Sequence, residues 1–320
     1  AEYLGIMPSY SDSTSLGGCS FEAYVQHAAL AIDAGLCNTC LITYGSTQRS
    51  GGAGFGGGTD PWLAASQFET PFGLPMMTGA YALAASRHMH LYGTTRAQLA
   101  EIAVAARKWA QLNPAAPRHE DLTVEDVLSA PMIASPLGKF DCCLVTDGGG
   151  AVVVTRADRA RDARKPPVWL WGSAETHTHS SIVNMPDLTV TPAARTGPAA
   201  FKSAGLRPGD MDLAMIYDSF TITALMTLED LGFCAKGEGG DFVSGGRIAP
   251  QGDFPMNTQG GGLSYTHPGM YGIFLIVEAV RQLRGEADAR QVSADLALVH
   301  GTGGALSAGS TLILGKEPRR

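Results

Sequence analysis

Two stretches of the chain run through the same order of elements, and this repeat limits the folds open to it. In the first half an apolar helix, Phe21–Ala34, is stopped by Gly35 and followed by the buried strand Cys40–Tyr44. Two strands, Cys143–Thr146 and Ala151–Thr155, then close around the turn Asp147–Gly150. In the second half the helix is Met270–Leu283, the strand Leu296–His300, and the closing strand Ser310–Leu314 follows a glycine turn. A further apolar strand, Met211–Tyr217, runs into Asp218-Ser219-Phe220 and a helix reaching Leu231. A repeat of this kind predicts an α/β protein with two related halves, 1–160 and 161–320. The mixed-charge stretch Arg156–Lys165 is the expected linker.

Helices Thr78–Tyr92 and Arg96–Leu112, joined at Gly93, and a short one at Leu122–Leu128 fill the space between the first-half strands. Asn113-Pro114 stops the second of them. Ser50–Gly58 reads as a flexible loop: no Gly-Lys-Ser/Thr follows to make it a phosphate cradle.

Charge narrows the partners. With 23 Lys and Arg against 30 Asp and Glu, the net charge of −7 offers no basic field to a phosphate backbone, which argues against nucleic acid. No run of about 18 apolar residues offers a membrane span, and Ala1–Ile6 has neither the charged start nor the apolar centre of a signal peptide, so a cytoplasmic location is expected. The six cysteines are expected as free thiols, with Cys37 and Cys40 a buried structural pair. His177 and His179 alternate but have no third ligand or acidic cluster near them, so a surface strand or loop is expected and no metal.

The stretch Asn257–Gly272, NTQGGGLSYTHPGMYG, is too rich in glycine for an ordinary strand, and it fixes His267 just before a helix. With Ser13–Gly18, Tyr217–Phe220 and His300–Gly304 it makes four motifs, in an order that resembles the thiolase superfamily, and within it the sterol-carrier-protein-type thiolases and their aldolase-like relatives. The resemblance covers nearly the whole chain. It implies a thiolase fold with duplicated βαβαβαββ halves in five α-β-α-β-α layers. It also implies that a full family member extends further before Ala1, so the chain reads as N-terminally truncated.

Family thiolases use a nucleophilic cysteine at a helix N-terminus, an Asn or His in the motif that here reads Tyr-Asp-Ser-Phe, a histidine in Gly-His-Pro, and a second cysteine before a terminal Gly-Gly. Of these four types the sequence keeps only the histidine, His267, ten residues after Asn257. The nucleophile position falls on Gly17 or Gly18, with Cys19 displaced beside it. Tyr217 stands in the second motif, with Asp218 and Phe220 around it, and His300 takes the place of the second cysteine.

That pattern looks like the steroid side-chain aldolase branch, which implies retro-aldol cleavage of a tertiary β-hydroxyacyl-CoA with no acyl-enzyme. Tyr217 and Tyr271 are then the candidate base and acid, and Tyr217 requires neighbours that depress its phenol. His267, with Gly303 and Gly304, is expected to polarise the thioester oxygen, and His300 to lie nearby. Gly17, Gly18, Cys19, Asp218, Phe220, Asn257 and Gly261 complete the expected substrate site, and Tyr265 and Tyr271 flank the same histidine, either one open to being the pocket wall. Coenzyme A enters only as part of the substrate. A homodimer and a small zinc-ribbon and OB-fold partner subunit are further implications. Two rivals stay open: an acetyl-CoA acyltransferase using Cys19, and a non-catalytic acyl-CoA or sterol carrier.

Overall fold

A computed structural model of the chain describes residues 1–52, 61–74 and 76–319. Most of the expected loop Ser50–Gly58 lies outside the described residues.

Helix α1 (Ser20–Asp33) buries Phe21, Val25, Ala28 and Ala31 along one side, and Gly35, in the left-handed region, ends it. Strand β1 (Thr39–Ser46) follows. A helical insertion then comprises α2 (Met76–Tyr92), α3 (Arg96–Gln111) and α4 (Val124–Ser129). The last two begin at reciprocal caps, Thr95 with Gln98 and Thr123 with Asp126, which satisfy amides the helix cannot.

Strand β2 (Gly148–Thr155) returns antiparallel to β1, with Tyr44 opposite Gly150 and Ser46 opposite Gly148. This corrects two expectations. The glycines 148–150 are not a turn but the first part of the strand; a Cβ at Gly148 would meet the Phe274 ring at 3.2 Å, so a neighbouring helix can pack close there. Residues 143–146 do not pair with β2. The Cys143 N–H donates to the Ser219 carbonyl and the Leu144 N–H to that of Gly262, both at 2.9 Å, which ties this segment to the loops of the second half. Within the expected linker, Ala157–Ala160 forms one helical turn.

The second half begins with two elements that the sequence reading did not find, β3 (Trp169–His177) and α5 (Ala193–Ala204). Then come β4 (Leu213–Ile216), α6 (Thr221–Asp230), α7 (Gly272–Arg284), β5 (Leu296–Gly303) and β6 (Ala308–Gly315). The strands form one sheet in the order β3-β6-β5-β4, with only β4 and β5 parallel. A parallel bridge from Ala214 to Met256 continues it past β4.

Every residue of β6, and every residue of β5 except Leu296, is buried, as a strand covered on both faces must be. One face packs on α1 and α7, beyond which lies the β1–β2 ribbon; the core there includes Phe21, Val25, Ile42, Ile273 and Leu312. The other face packs on α5, with α6 against it, around Phe201, Ile216, Leu228 and Ile313. The described residues thus supply four successive layers of the thiolase arrangement, and the ribbon's outward residues Leu41 and Val153 are 45% and 62% exposed. Among the described residues no helix is long and apolar enough to cross a membrane.

Candidate active site

Tyr217 follows the last residue of β4. Its N–H donates to the His300 carbonyl at 2.9 Å, and the alternation of the strand turns its ring to the α1 face with Leu213 and Met215. The preceding residue is gripped by Asn257, whose Oδ1 accepts the Ile216 N–H at 2.8 Å while its Nδ2 donates to the Ile216 carbonyl at 2.7 Å. A side-chain amide here mimics the edge of a neighbouring strand. Asp218 reaches the other way and accepts the Gly262 and Leu263 amides at 2.7 and 3.4 Å. Burial raises its carboxyl to about 7 although these amides pull it down.

The glycine tract forms one wide π-helical turn, Gly261–Tyr265, held against α3 by a hydrogen bond from Arg107 Nε to Ser264 Oγ at 3.1 Å. The chain then delivers His267, whose N–H donates to Thr146 Oγ1 at 3.0 Å and whose Nε2 lies 2.8 Å from Tyr217 Oη. The Tyr217 oxygen also accepts the Tyr271 N–H at 3.1 Å. The ring of Tyr271 sits edge-on to Tyr217 with centroids 5.3 Å apart, and its hydroxyl oxygen accepts from Gln259 Nε2 at 2.6 Å.

These groups are closed off from solvent: Tyr217 is 3% exposed, His267 4% and Tyr271 0%. Burial decides their protonation. It pushes both phenols well above the ordinary tyrosine value and lowers His267 to about 4, so the Tyr217–His267 pair is a neutral phenol against a neutral imidazole. This overturns the expected depressed phenol: burial dominates, and among the described residues no cation stands beside Tyr217 to favour its ionised form.

The facing wall is the entry to α1, where Gly17–Cys19 forms a 3-10 turn. Gly17 has φ +76°, and a Cβ there would lie 2.6 Å from the Gly304 amide nitrogen. A Cβ at Gly18 would lie 2.5 Å from Tyr217 Oη. The glycines thus let the tyrosine ring and the Gly303–Gly304 backbone approach the helix end. Gly304 is fixed in turn by Tyr81, whose hydroxyl donates to its carbonyl at 2.8 Å, and Tyr81 stands 4.4 Å from the Phe220 ring. Cys19 points its thiol at the Leu16 carbonyl, 3.4 Å away, and burial, with Glu22 nearby, holds that thiol far above its ordinary value.

Other expected residues stand elsewhere. His300 pairs with Ile216, so its imidazole lies on the opposite sheet face from Tyr217, 2.8 Å from Thr311 Oγ1; only its backbone carbonyl reaches the tyrosine. Gly261 packs its Cα on the Asp218 carboxylate, and Tyr265 is half-buried with its edge toward Phe274. Cys37 and Cys40 have sulfurs 3.2 Å apart but are half-exposed, not buried, because they sit where the chain turns from α1 into β1. His177 is exposed at the end of β3, and His179 Nε2 lies 3.1 Å from the Ala305 carbonyl. Among the described residues no three His, Cys, Asp or Glu side chains are grouped to hold a metal.

The sequence reading missed Gln259, Thr146, Tyr81 and Glu22. Gln259 and Glu22 left a signal: one is a polar residue inside the glycine tract, the other an acid on the apolar side of a helix.

Residues 174–316 match the model of a thiolase C-terminal domain-like family. The chain is 37% identical over 290 residues to the steroid side-chain-cleaving aldolase of Thermomonospora curvata, covering 84% of this chain and 71% of that one. It is 41% identical over 227 residues to an acetyl-CoA acetyltransferase of Methanothermobacter thermautotrophicus, covering 70% of this chain but 59% of the relative's length. Among solved structures, an Ltp2–ChsH2(DUF35) aldolase superposes with a TM-score of 0.85 at 34% identity, over 94% of this chain and 78% of that one.

Proposed function

This chain belongs to the thiolase superfamily, in the branch shared by sterol-carrier-protein-type thiolases and steroid side-chain aldolases, and from that membership we propose that it cleaves a β-hydroxyacyl-CoA by a retro-aldol reaction. The observation that carries this reading is the Tyr217–His267 pair at 2.8 Å, set against a glycine where a thiolase would carry its nucleophile.

The substrate's β-hydroxyl gives its proton to the Tyr217 oxygen as Tyr217 passes its own to His267 Nε2, which spares the site a free phenolate. The electrons of the Cα–Cβ bond move into the thioester, releasing a ketone and leaving an enolate. The Gly304 amide and the entry to α1 at Gly17 and Gly18 hold the enolate oxygen. Tyr271, whose oxygen is occupied by the Gln259 amide, keeps its proton to give to the α-carbon, and the proton on His267 replaces it. One proton leaves oxygen and one reaches carbon, so the cycle consumes no acid or base.

The substrate is a tertiary β-hydroxyacyl-CoA of steroid side-chain type, and the products are a ketone and a shortened acyl-CoA. Coenzyme A arrives as part of the substrate, and no other cofactor is needed. The active assembly is a homodimer joined by a small zinc-ribbon and OB-fold subunit, in keeping with the ChsH2(DUF35) component of the similar solved aldolase. The acyltransferase reading has support from the 41% identity to an acetyl-CoA acetyltransferase, but a buried Cys19 thiol held far above its ordinary value is a poor nucleophile. A turnover assay offering a tertiary β-hydroxyacyl-CoA, and separately a β-ketoacyl-CoA with free CoA, tests the choice: cleavage of the hydroxy substrate alone is expected, and thiolysis of the keto substrate alone would refute it.

A further inference from the structure

Glu22 lies in the first turn of α1 and is 0% exposed, and among the described residues neither of its carboxyl oxygens meets a hydrogen-bonding group of another residue. A buried acid in that state needs an explanation. Its carboxyl fills the space above two glycines: a Cβ would lie 2.2 Å from Oε2 at Gly272 and 2.5 Å from it at Gly301. Gly272 follows Tyr271, and the same Cβ would lie 2.5 Å from the Gly18 carbonyl oxygen, so Glu22 stands directly behind the turn that faces Tyr217.

No basic side chain is paired with it among the described residues. From α1 the neighbouring groups are Cys19 and, one turn on, Gln26, whose Oε1 is also buried without a partner among the described residues. From the sheet they are Ser310, which pairs with Gly301, and Glu175, which pairs with Ser310 and is held by His27 at 3.0 Å. Across the turn lies Tyr217, and from the entry to α7 Tyr271. All are neutral or acidic except His27, which is shared between Glu175 and Asp12. In these surroundings burial raises the Glu22 carboxyl to about 8.

We propose that Glu22 is a positioning residue for the reaction: as the neutral acid it leaves the positive end of α1 to the thioester oxygen, and when it ionises it withdraws that stabilisation. An acid in a first turn ordinarily strengthens a helix by meeting its dipole. Here that same charge competes with the enolate for one helix end, without touching the substrate.

This inference rests on the retro-aldol reading, and its test separates the two. Rate profiles of wild type and E22Q are compared on either side of about pH 8. Wild type loses activity as the pH rises through that region, whereas E22Q, isosteric and always neutral, keeps its low-pH rate across it. A basic fall that persists in E22Q overturns the proposal and points instead to Asp218, the other buried acid of the site.

Two readouts need no turnover. Infrared difference spectra of wild type against E22Q show a protonated-acid carbonyl band that titrates away; its absence at neutral pH overturns the proposal. Acetoacetyl-CoA, whose enolate forms at the same oxygen, binds wild type more weakly than E22Q above the transition, by about tenfold, the change that one pKa unit of charge interaction makes. Equal affinities refute the charge effect, whatever reaction the enzyme performs.

Discussion

Arg290 grips Glu278 with both branches of its guanidinium, Nε to Oε1 at 3.1 Å and Nη2 to Oε2 at 3.2 Å, with both side chains only 3–4% exposed. The same Oε1 accepts from Thr258 Oγ1 at 2.9 Å, and Gln282 Nε2 donates to Thr258 as well. Thr258 stands between Asn257, which pins β4, and Gln259, which holds the Tyr271 hydroxyl. A buried ion pair in the second layer of the molecule thus anchors the segment that positions both tyrosines.

Removing Arg290 leaves a buried carboxylate unpaired, so Arg290→Met is expected to cost about 3–5 kcal/mol, seen as a lower denaturation midpoint. The double variant with Glu278→Gln recovers much of that loss. A single variant as stable as wild type would remove this pair from the account of the fold.

Tyr217→Phe keeps the edge-on packing against Tyr271 and deletes only the oxygen shared by His267 and the Tyr271 amide. Turnover is expected to fall by about 10²–10⁴-fold, the range for losing a positioned proton carrier. Stability falls by about 1–3 kcal/mol, the cost of leaving buried partners unsatisfied. Unchanged kcat with the same stability loss would make Tyr217 a packing residue.

Gly18→Ala places a methyl 2.4 Å from the Tyr217 ring. Overpacking of this kind costs about 1–3 kcal/mol, and it displaces the tyrosine oxygen from His267. Activity is expected to fall further than at an equally destabilised site far from the pocket, and equal falls at both would count against the close approach.

The Glu22 carboxyl also predicts how stability depends on pH. An unfolded glutamate gives up its proton near pH 4.3, and the folded one holds it until about 8. The stabilisation is therefore fully present below the unfolded value and is lost as the pH climbs toward the folded one. Its size is on the order of a few kcal/mol. Denaturant midpoints of wild type should decline across that window relative to E22Q, and parallel curves would show that Glu22 ionises normally.

How much of this was legible in the sequence depends on whether the controlling neighbour is local. The apolar runs that became α1, β1, β5 and β6 are local signals, and they were read within a few residues of their ends. Tyr217 and His267, fifty positions apart, were brought into one site by the resemblance of their motifs, and the structure places them in contact. His300 was misplaced because the face a strand residue takes depends on its partner's register, here Ile216, which no local pattern states. Strand β3 was missed because Gly172 interrupts its apolar start and, beyond it, Ala174 is the one apolar residue among Ser173, Glu175, Thr176 and His177. The direction of the Tyr217 shift was missed for a similar reason: the burial that sets it is a property of the assembled core.

The proposed function turns on carbon–carbon cleavage through Tyr217 without a cysteine nucleophile. Its most direct test is turnover of a tertiary β-hydroxyacyl-CoA, in the presence of a zinc-ribbon partner subunit, by wild type, Cys19→Ser and Tyr217→Phe. The account predicts ketone and acyl-CoA from wild type and Cys19→Ser alike, with no requirement for free CoA, and loss of both products in Tyr217→Phe. Activity that needs free CoA and vanishes in Cys19→Ser while surviving in Tyr217→Phe would contradict it.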